Sequence, residues 1–118
     1  MIGGSSIMEI LGIRKAQDID ILVSPELFYE LEHVRGWKRN EKYPTTIDNS
    51  DHTVGAKQSL EFMKENYTLI EALPRATVIE GISFMSLEML LDAKKQLGRE
   101  KDLKDIELIT EYLKTHSQ

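Results

Sequence analysis

The chain has 118 residues, of which 41% are hydrophobic and 30% charged, the balance of an ordinary globular domain long enough to bury one core. Fifteen basic against twenty acidic residues give a net charge of −5, which argues against an extended nucleic-acid or anionic-membrane surface but leaves room for a basic pocket that holds one nucleotide. The absence of cysteine excludes disulfides and thiolate metal sites, no apolar run approaches the roughly 18 residues of a membrane span, and no signal peptide is visible, so a cytoplasmic protein is expected.

Met1 to Gly3 reads as the stub of a first strand, followed by the small-residue turn Gly3-Gly4-Ser5-Ser6 and a short helix to Leu11. Ser5 or Ser6 suits its N-cap and Gly12 its stop, and Ile7, Ile10 and Leu11 form one apolar stripe. Asp18 to Val23 then reads as a strand. Successive strand side chains point to opposite faces, so Asp18 and Asp20 share one face while Ile19, Ile21 and Val23 turn to the other, toward a core. Ser24-Pro25-Glu26 starts a helix that runs to about Arg35, with Leu27, Leu31 and Val34 inward and Gly36 ending it. From Trp37 to Val54 the chain is polar, with Pro44 and Asn49-Ser50 as turn signals and Tyr43 to Ile47 as a candidate strand.

Gly55 to Asn66 reads as a helix with Leu60, Met63 and Tyr67 inward, and Tyr67 to Leu73 as a strand stopped by Pro74. Thr77–Glu80 and Ile82–Phe84 form a hairpin around Glu80-Gly81. Ser86 caps a helix whose inward face carries Leu87, Leu90, Leu91 and Lys94, Gly98 interrupts it, and a last helix runs from Glu100 to about Lys114 with Leu103, Ile106, Ile109 and Leu113 inward. The expected fold is a single α/β (α+β) domain over residues 1–118, a small mixed sheet flanked by helices with a helical C-terminus.

Two like charges held side by side are best tolerated with a cation between them, and hard carboxylate oxygens suit Mg²⁺ or Mn²⁺. A glycine-rich turn supplies backbone N–H groups for a phosphate. Gly4 and Ser5 with Asp18 and Asp20 therefore point to a site for a metal-bound nucleoside triphosphate, although each motif alone is equally at home in a flexible turn or a solvated strand end. Lys94, Arg99 and Lys101 are the notable cations, and Lys94 on an apolar stripe has to find a counter-charge or reach out to water. The competing reading is a helix–helix junction stapled by Arg99, Asp102 and Asp105. His33, His52 and His116 have no ligand spacing and read as surface or structural, and Met8, Met63, Met85 and Met89 as core fillers.

Gly-Gly-Ser-Ser followed by Asp-Ile-Asp-Ile-Leu-Val resembles the signature of the nucleotidyltransferase superfamily of the DNA polymerase β type. Residues 87–106, LEMLLDAKKQLGREKDLKDI, and the preceding Ile79–Phe84 resemble the helical segment and hairpin of small bacterial members, among them abortive-infection toxins and minimal antibiotic-type enzymes. The resemblance implies catalytic and metal-binding Asp18 and Asp20, a triphosphate held at Gly4 and Ser5, and Lys94 and Arg99 near the nucleotide or bracing the sheet. It also implies a third carboxylate on a neighbouring strand, for which Glu71 is the match, where relatives mostly have Asp. Relatives carry Thr or Ser two positions after the arginine that Arg14 matches; this chain has Ala16. Relatives also carry a helix ahead of the Gly-Gly-Ser turn, so apolar surface left bare here is expected to be covered in a homodimer. The function so implied is metal-dependent transfer of a nucleoside monophosphate from an NTP to an unidentified hydroxyl-bearing acceptor. The alternative is a catalytically silent binding or interaction module, part of a toxin–antitoxin or defence pair.

Overall fold

In the computed structural model, which describes residues 1–43, 45–62 and 65–116, the strand Ile19–Leu22 lies at the centre of a seven-stranded mixed sheet; Asp20 is on it, whereas Asp18, expected to open the strand, stands exposed in the bend just ahead of it. The elements are β1 (Ile2–Gly3), α1 (Ser6–Ile10), β2 (Ile19–Leu22), α2 (Pro25–Glu32), β3 (Lys38–Arg39), β4 (Thr46–Asp48), β5 (Val54–Lys57), β6 (Ser59–Phe62), β7 (Glu65–Thr68), α3 (Leu69–Ala72), β8 (Thr77–Ile79), β9 (Ile82–Phe84), α4 (Leu87–Leu97) and α5 (Glu100–His116). The sheet order is β3-β4-β5-β2-β1-β9-β8, with β2 antiparallel to β1 and parallel to β5; β6 and β7 form a separate hairpin. The expected α+β fold with a helical C-terminus is therefore observed.

Strand alternation divides the core in two. Leu22, on the Asp20 side of β2, packs with Ile7, Met8, Phe84, Leu90 and Ile109, whereas Ile21 and Val23 pack on the other side with Phe28, Ile47 and Ala56. Ile19, at the start of the strand, is exposed rather than buried. Ser24 caps α2 as expected, its Oγ accepting from the Leu27 N–H at 3.1 Å, with Pro25 in the first turn. The inward side chain of α2 is Phe28, however, and Leu27 and Val34 face solvent: the aromatic ring removes more surface from water and carries Arg39 over its face. Ser86 caps α4 and Gly98 closes it in the left-handed conformation, φ 56°, its N–H donating to the Lys94 carbonyl. Glu80 and Gly81, both at positive φ, turn the β8–β9 hairpin.

Residues 54–73 depart from the expectation. The segment expected as a helix from Gly55 to Asn66 is instead β5, β6 and the start of β7. Ala56 is fully buried between Ile21 of β2 and Ile47 of β4, its partners in register, so pairing on both edges outweighs any local helical preference. Tyr67 to Leu73 is not one strand: β7 stops at Thr68, and α3 begins there. Glu71 Oε1 accepts from the Thr68 N–H and hydroxyl, both at 3.0 Å, which closes the first turn of a helix and draws the carboxyl below its usual range through those bonds. In α5, Ile109 is buried as expected but Leu103 is 59% exposed, while Asp102 and Asp105 take inward positions. Leu60 is buried and Tyr67 partly so; Met63 and Pro44 lie outside the described residues. No described helix is long and apolar enough to cross a membrane.

Ser86→Ala should lower the free energy of unfolding by about 1 kcal/mol, since a buried cap N–H loses its acceptor; a urea titration reads this directly, and an unchanged midpoint would show that the cap contributes nothing.

Candidate functional site

The β1 backbone runs antiparallel to β2 with Gly3 opposite Asp20, so the turn that follows is laid against the Asp20 side chain. Gly4 takes φ 59°, and a β-carbon there would stand 2.8 Å from Asp20 Oδ2. On the other flank, Asp20 is paired with Gly55 and Gly55 with Asp48, one rung across three strands. A β-carbon at Gly55 would lie 3.0 Å from Asp48 Oδ1 and 3.5 Å from Asp20 Oδ1. Burial pushes the Asp20 carboxyl above its usual range, the charges of Asp18 and Asp48 add to the rise, and Lys57 opposes it. Burial and repulsion both act against the anion here, so the site favours a proton or a cation.

Ser5 occupies the N-cap position of α1 without capping it; its Oγ instead accepts from Arg14 Nη2 at 3.0 Å. Arg14 forks onto Asp105 of α5, with Nε and Nη2 each 2.7 Å from a carboxylate oxygen. Lys94 Nζ lies 2.8 Å from Asp105 and 3.4 Å from Asp102. Arg99 closes the chain of contacts, its Nε donating to Asp102 Oδ2 at 2.6 Å and its backbone N–H to the same oxygen at 3.1 Å. The hydrogen bonds from Arg14, assisted by Lys94, hold the Asp105 carboxyl at about 2, well below its usual range, against the opposing effect of burial. The hydrogen bonds from Arg99 likewise draw the Asp102 carboxyl below its usual range.

These residues wall a cleft of about 790 Å³, the size of an ordinary small-molecule site. One wall carries Ser5, Arg14, Gln17, Asp18 and Asp20; the other is the α4–α5 junction, with Lys94, Arg99 to Asp102, Lys104, Asp105 and Leu108. Ser5, Asp18, Asp20, Lys94 and Arg99, all singled out by sequence, thus meet in one place, and Gly4 makes the room beside Asp20. Lys94 and Arg99 spend their charge on Asp102 and Asp105, which is the staple arrangement. Glu71 does not join them. It sits on α3, outside the sheet that carries Asp20, and is not among the residues lining the cleft. The strand that would have placed it beside them does not exist.

Two residues given no site role by the sequence bear on the site. Arg14, matched to an arginine of the resembled family by its place ahead of Asp18, orients Ser5. Asp48 stands across Gly55 from Asp20, held by Asn40 Nδ2 at 2.6 Å and with His52 Nδ1 at 3.5 Å. It falls in a polar stretch without periodicity, so nothing local marked it. Among the described residues no group of three or more His, Asp or Glu side chains is drawn together to hold a metal ion. Asp18 and Asp20 both line the cleft, and Mg²⁺ takes one or two protein carboxylates and fills its shell with water and phosphate. Comparison with protein families, with curated proteins and with solved structures finds no match.

Because the Asp105 carboxyl is lowered in the folded chain, its contribution is complete above the ordinary carboxylate range and is lost as pH falls from about 4 to about 2. The loss expected over that window is about 2 kcal/mol. Asp105→Asn should be less stable at neutral pH and show a correspondingly flatter acid limb in denaturant midpoints collected against pH; an acid limb identical to that of the unaltered chain would mean that Asp105 is not the group responsible.

Proposed function

We propose that the cleft binds a metal-bound nucleoside triphosphate and that the chain transfers its nucleoside monophosphate to a hydroxyl acceptor, releasing pyrophosphate. The observation that carries this reading is the convergence of Ser5, Asp18 and Asp20 on one wall with a cationic helix junction on the other. The order of the Gly-Gly-Ser turn and Asp-Ile-Asp strand, and its resemblance to the nucleotidyltransferase superfamily, support it. Mg²⁺ or Mn²⁺ bound at Asp18 and Asp20 would neutralise phosphate charge and keep the attacking and leaving oxygens in line.

The chain's own groups do the rest. Ser5 Oγ already accepts from Arg14, so its proton is free to be donated to a phosphate oxygen. The acceptor oxygen forms its bond to the α-phosphorus as the bond to the bridging oxygen breaks, and pyrophosphate leaves with that electron pair. The acceptor's hydroxyl proton passes to water; Asp48 faces Asp20 across Gly55 but, like Glu71, is not among the residues that line the cleft. A second reading, a silent binding module, is favoured by the Glu71 cap and by the internal neutralisation of Lys94 and Arg99. A homodimer belongs to the same proposal, with Val78 and Ile82 exposed at the β8–β9 edge.

Calorimetry with ATP should show binding only when Mg²⁺ is present, weakened at least tenfold in Asp18→Asn or Asp20→Asn and unaltered in Glu71→Gln; equal affinity with and without metal would sink the reading. If the unaltered chain binds Mg-ATP yet releases no pyrophosphate with any hydroxyl acceptor supplied, the silent module is the better account. For the dimer, light scattering at micromolar concentration should return twice the 13.6 kDa chain mass, and a monomer at high concentration would refute it.

A further inference from the structure

Five cations line the cleft, and they are not equivalent. Arg14, Lys94 and Arg99 each lie within 2.8 Å of a carboxylate oxygen of Asp102 or Asp105. Those two acids are almost wholly buried, so the three cations that hold them cannot turn to a ligand without stranding a buried charge. Lys101 and Lys104 line the same cleft, are exposed, and have no ion-pair partner among the described residues. Glu100 also lines the cleft one turn ahead of Lys104, yet no salt bridge joins them. Lys101 and Lys104 stand three residues apart on α5, so their side chains rise from neighbouring positions on one helix face, about 5–6 Å apart at Cβ.

We propose that Lys101 and Lys104, rather than Lys94 and Arg99, hold the two terminal phosphates of the nucleotide, so that the cleft is a pyrophosphate-binding site in its own right. This rests on the reading of the cleft as a metal–triphosphate site. The acidic wall at Asp18 and Asp20 repels a bare polyphosphate and accepts one that carries a divalent cation; the lysine pair opposite supplies the charge that the acids lack. Two adjacent phosphoryl groups match two adjacent ammonium groups, whereas a single phosphate would engage only one. The braced cations keep α5 in the orientation that presents the pair.

Calorimetric titration of the full chain at low ionic strength with Mg-pyrophosphate and with Mg-ATP tests this. The unaltered chain should bind both; Lys101→Gln and Lys104→Gln should each weaken both roughly tenfold, as for loss of one charge-assisted contact, with melting temperatures unchanged. Lys95→Gln, exposed on α4 and outside the cleft, should alter neither ligand, and Lys94→Met should lower the melting temperature by several degrees because it strands buried acids. The inference is overturned if either lysine variant binds Mg-pyrophosphate as tightly as the unaltered chain, if Lys95→Gln costs as much as they do, or if the unaltered chain binds Mg-ATP but not Mg-pyrophosphate. If it binds neither ligand, the metal–triphosphate reading fails with it.

Discussion

Two buried aspartates and the three cations around them decide how the C-terminal helices meet the sheet. Asp102 and Asp105 lie on the inward side of α5, where Arg14 reaches Asp105 from a loop 91 residues earlier, Lys94 reaches both from α4, and Arg99 reaches Asp102 from the turn after it. Turning α5 by one residue would bury Leu103, a gain of roughly 1.5–3 kcal/mol. The same rotation would pull a buried carboxylate from its partners at roughly 3–5 kcal/mol. The ion-pair network wins, and Leu103 stays in solvent. Such a network adds little net stability over a well-packed apolar core, but it fixes the rotation of a helix about its axis in a way that interchangeable leucines do not. The cleft wall inherits that rotation.

The same competition explains what could be read from the sequence. The helix from Pro25, the hairpin at Glu80-Gly81 and the α4–α5 break at Gly98 carry local signals: a serine cap, a proline at the first turn, a glycine at positive φ. These act within a few residues, and sequence contains them. The inward face of α5 was misjudged because apolar periodicity alone counts leucines and ignores carboxylates that have distant partners. Arg14 and Asp105 are adjacent only after folding.

Residues 54–73 show a different limit. Val54-Gly55-Ala56-Lys57 has neither strong alternation nor bulky β-formers, and it becomes a strand because two neighbours supply hydrogen bonds and a slot that only small side chains fit. The Thr68-x-x-Glu71 pattern was a helix signal in plain view, outweighed by the apolar run Leu69–Ile70 beside it. Reading that run as a strand carried Glu71 into the wrong environment, and with it the expected third carboxylate. Asp48 came from a stretch without pattern, because its position depends on β4 pairing with β5 and β5 with β2.

What remains constant through these corrections is the setting of Asp20. Its Oδ2 faces Gly4 and its Oδ1 faces Gly55, and each glycine leaves room that a β-carbon would take. The carboxylate is thereby fixed between two flanks: on one, the turn whose Ser5 hydroxyl is tied through Arg14 to α5; on the other, Asp48. Burial and the two neighbouring acids already raise its proton affinity. A positive charge placed at Asp20 would offset both its burial and the repulsion from Asp18 and Asp48, as Lys57 already does in part. The two glycines are small enough to be overlooked in a list of functional residues. They are nevertheless what leaves room on both flanks of one aspartate.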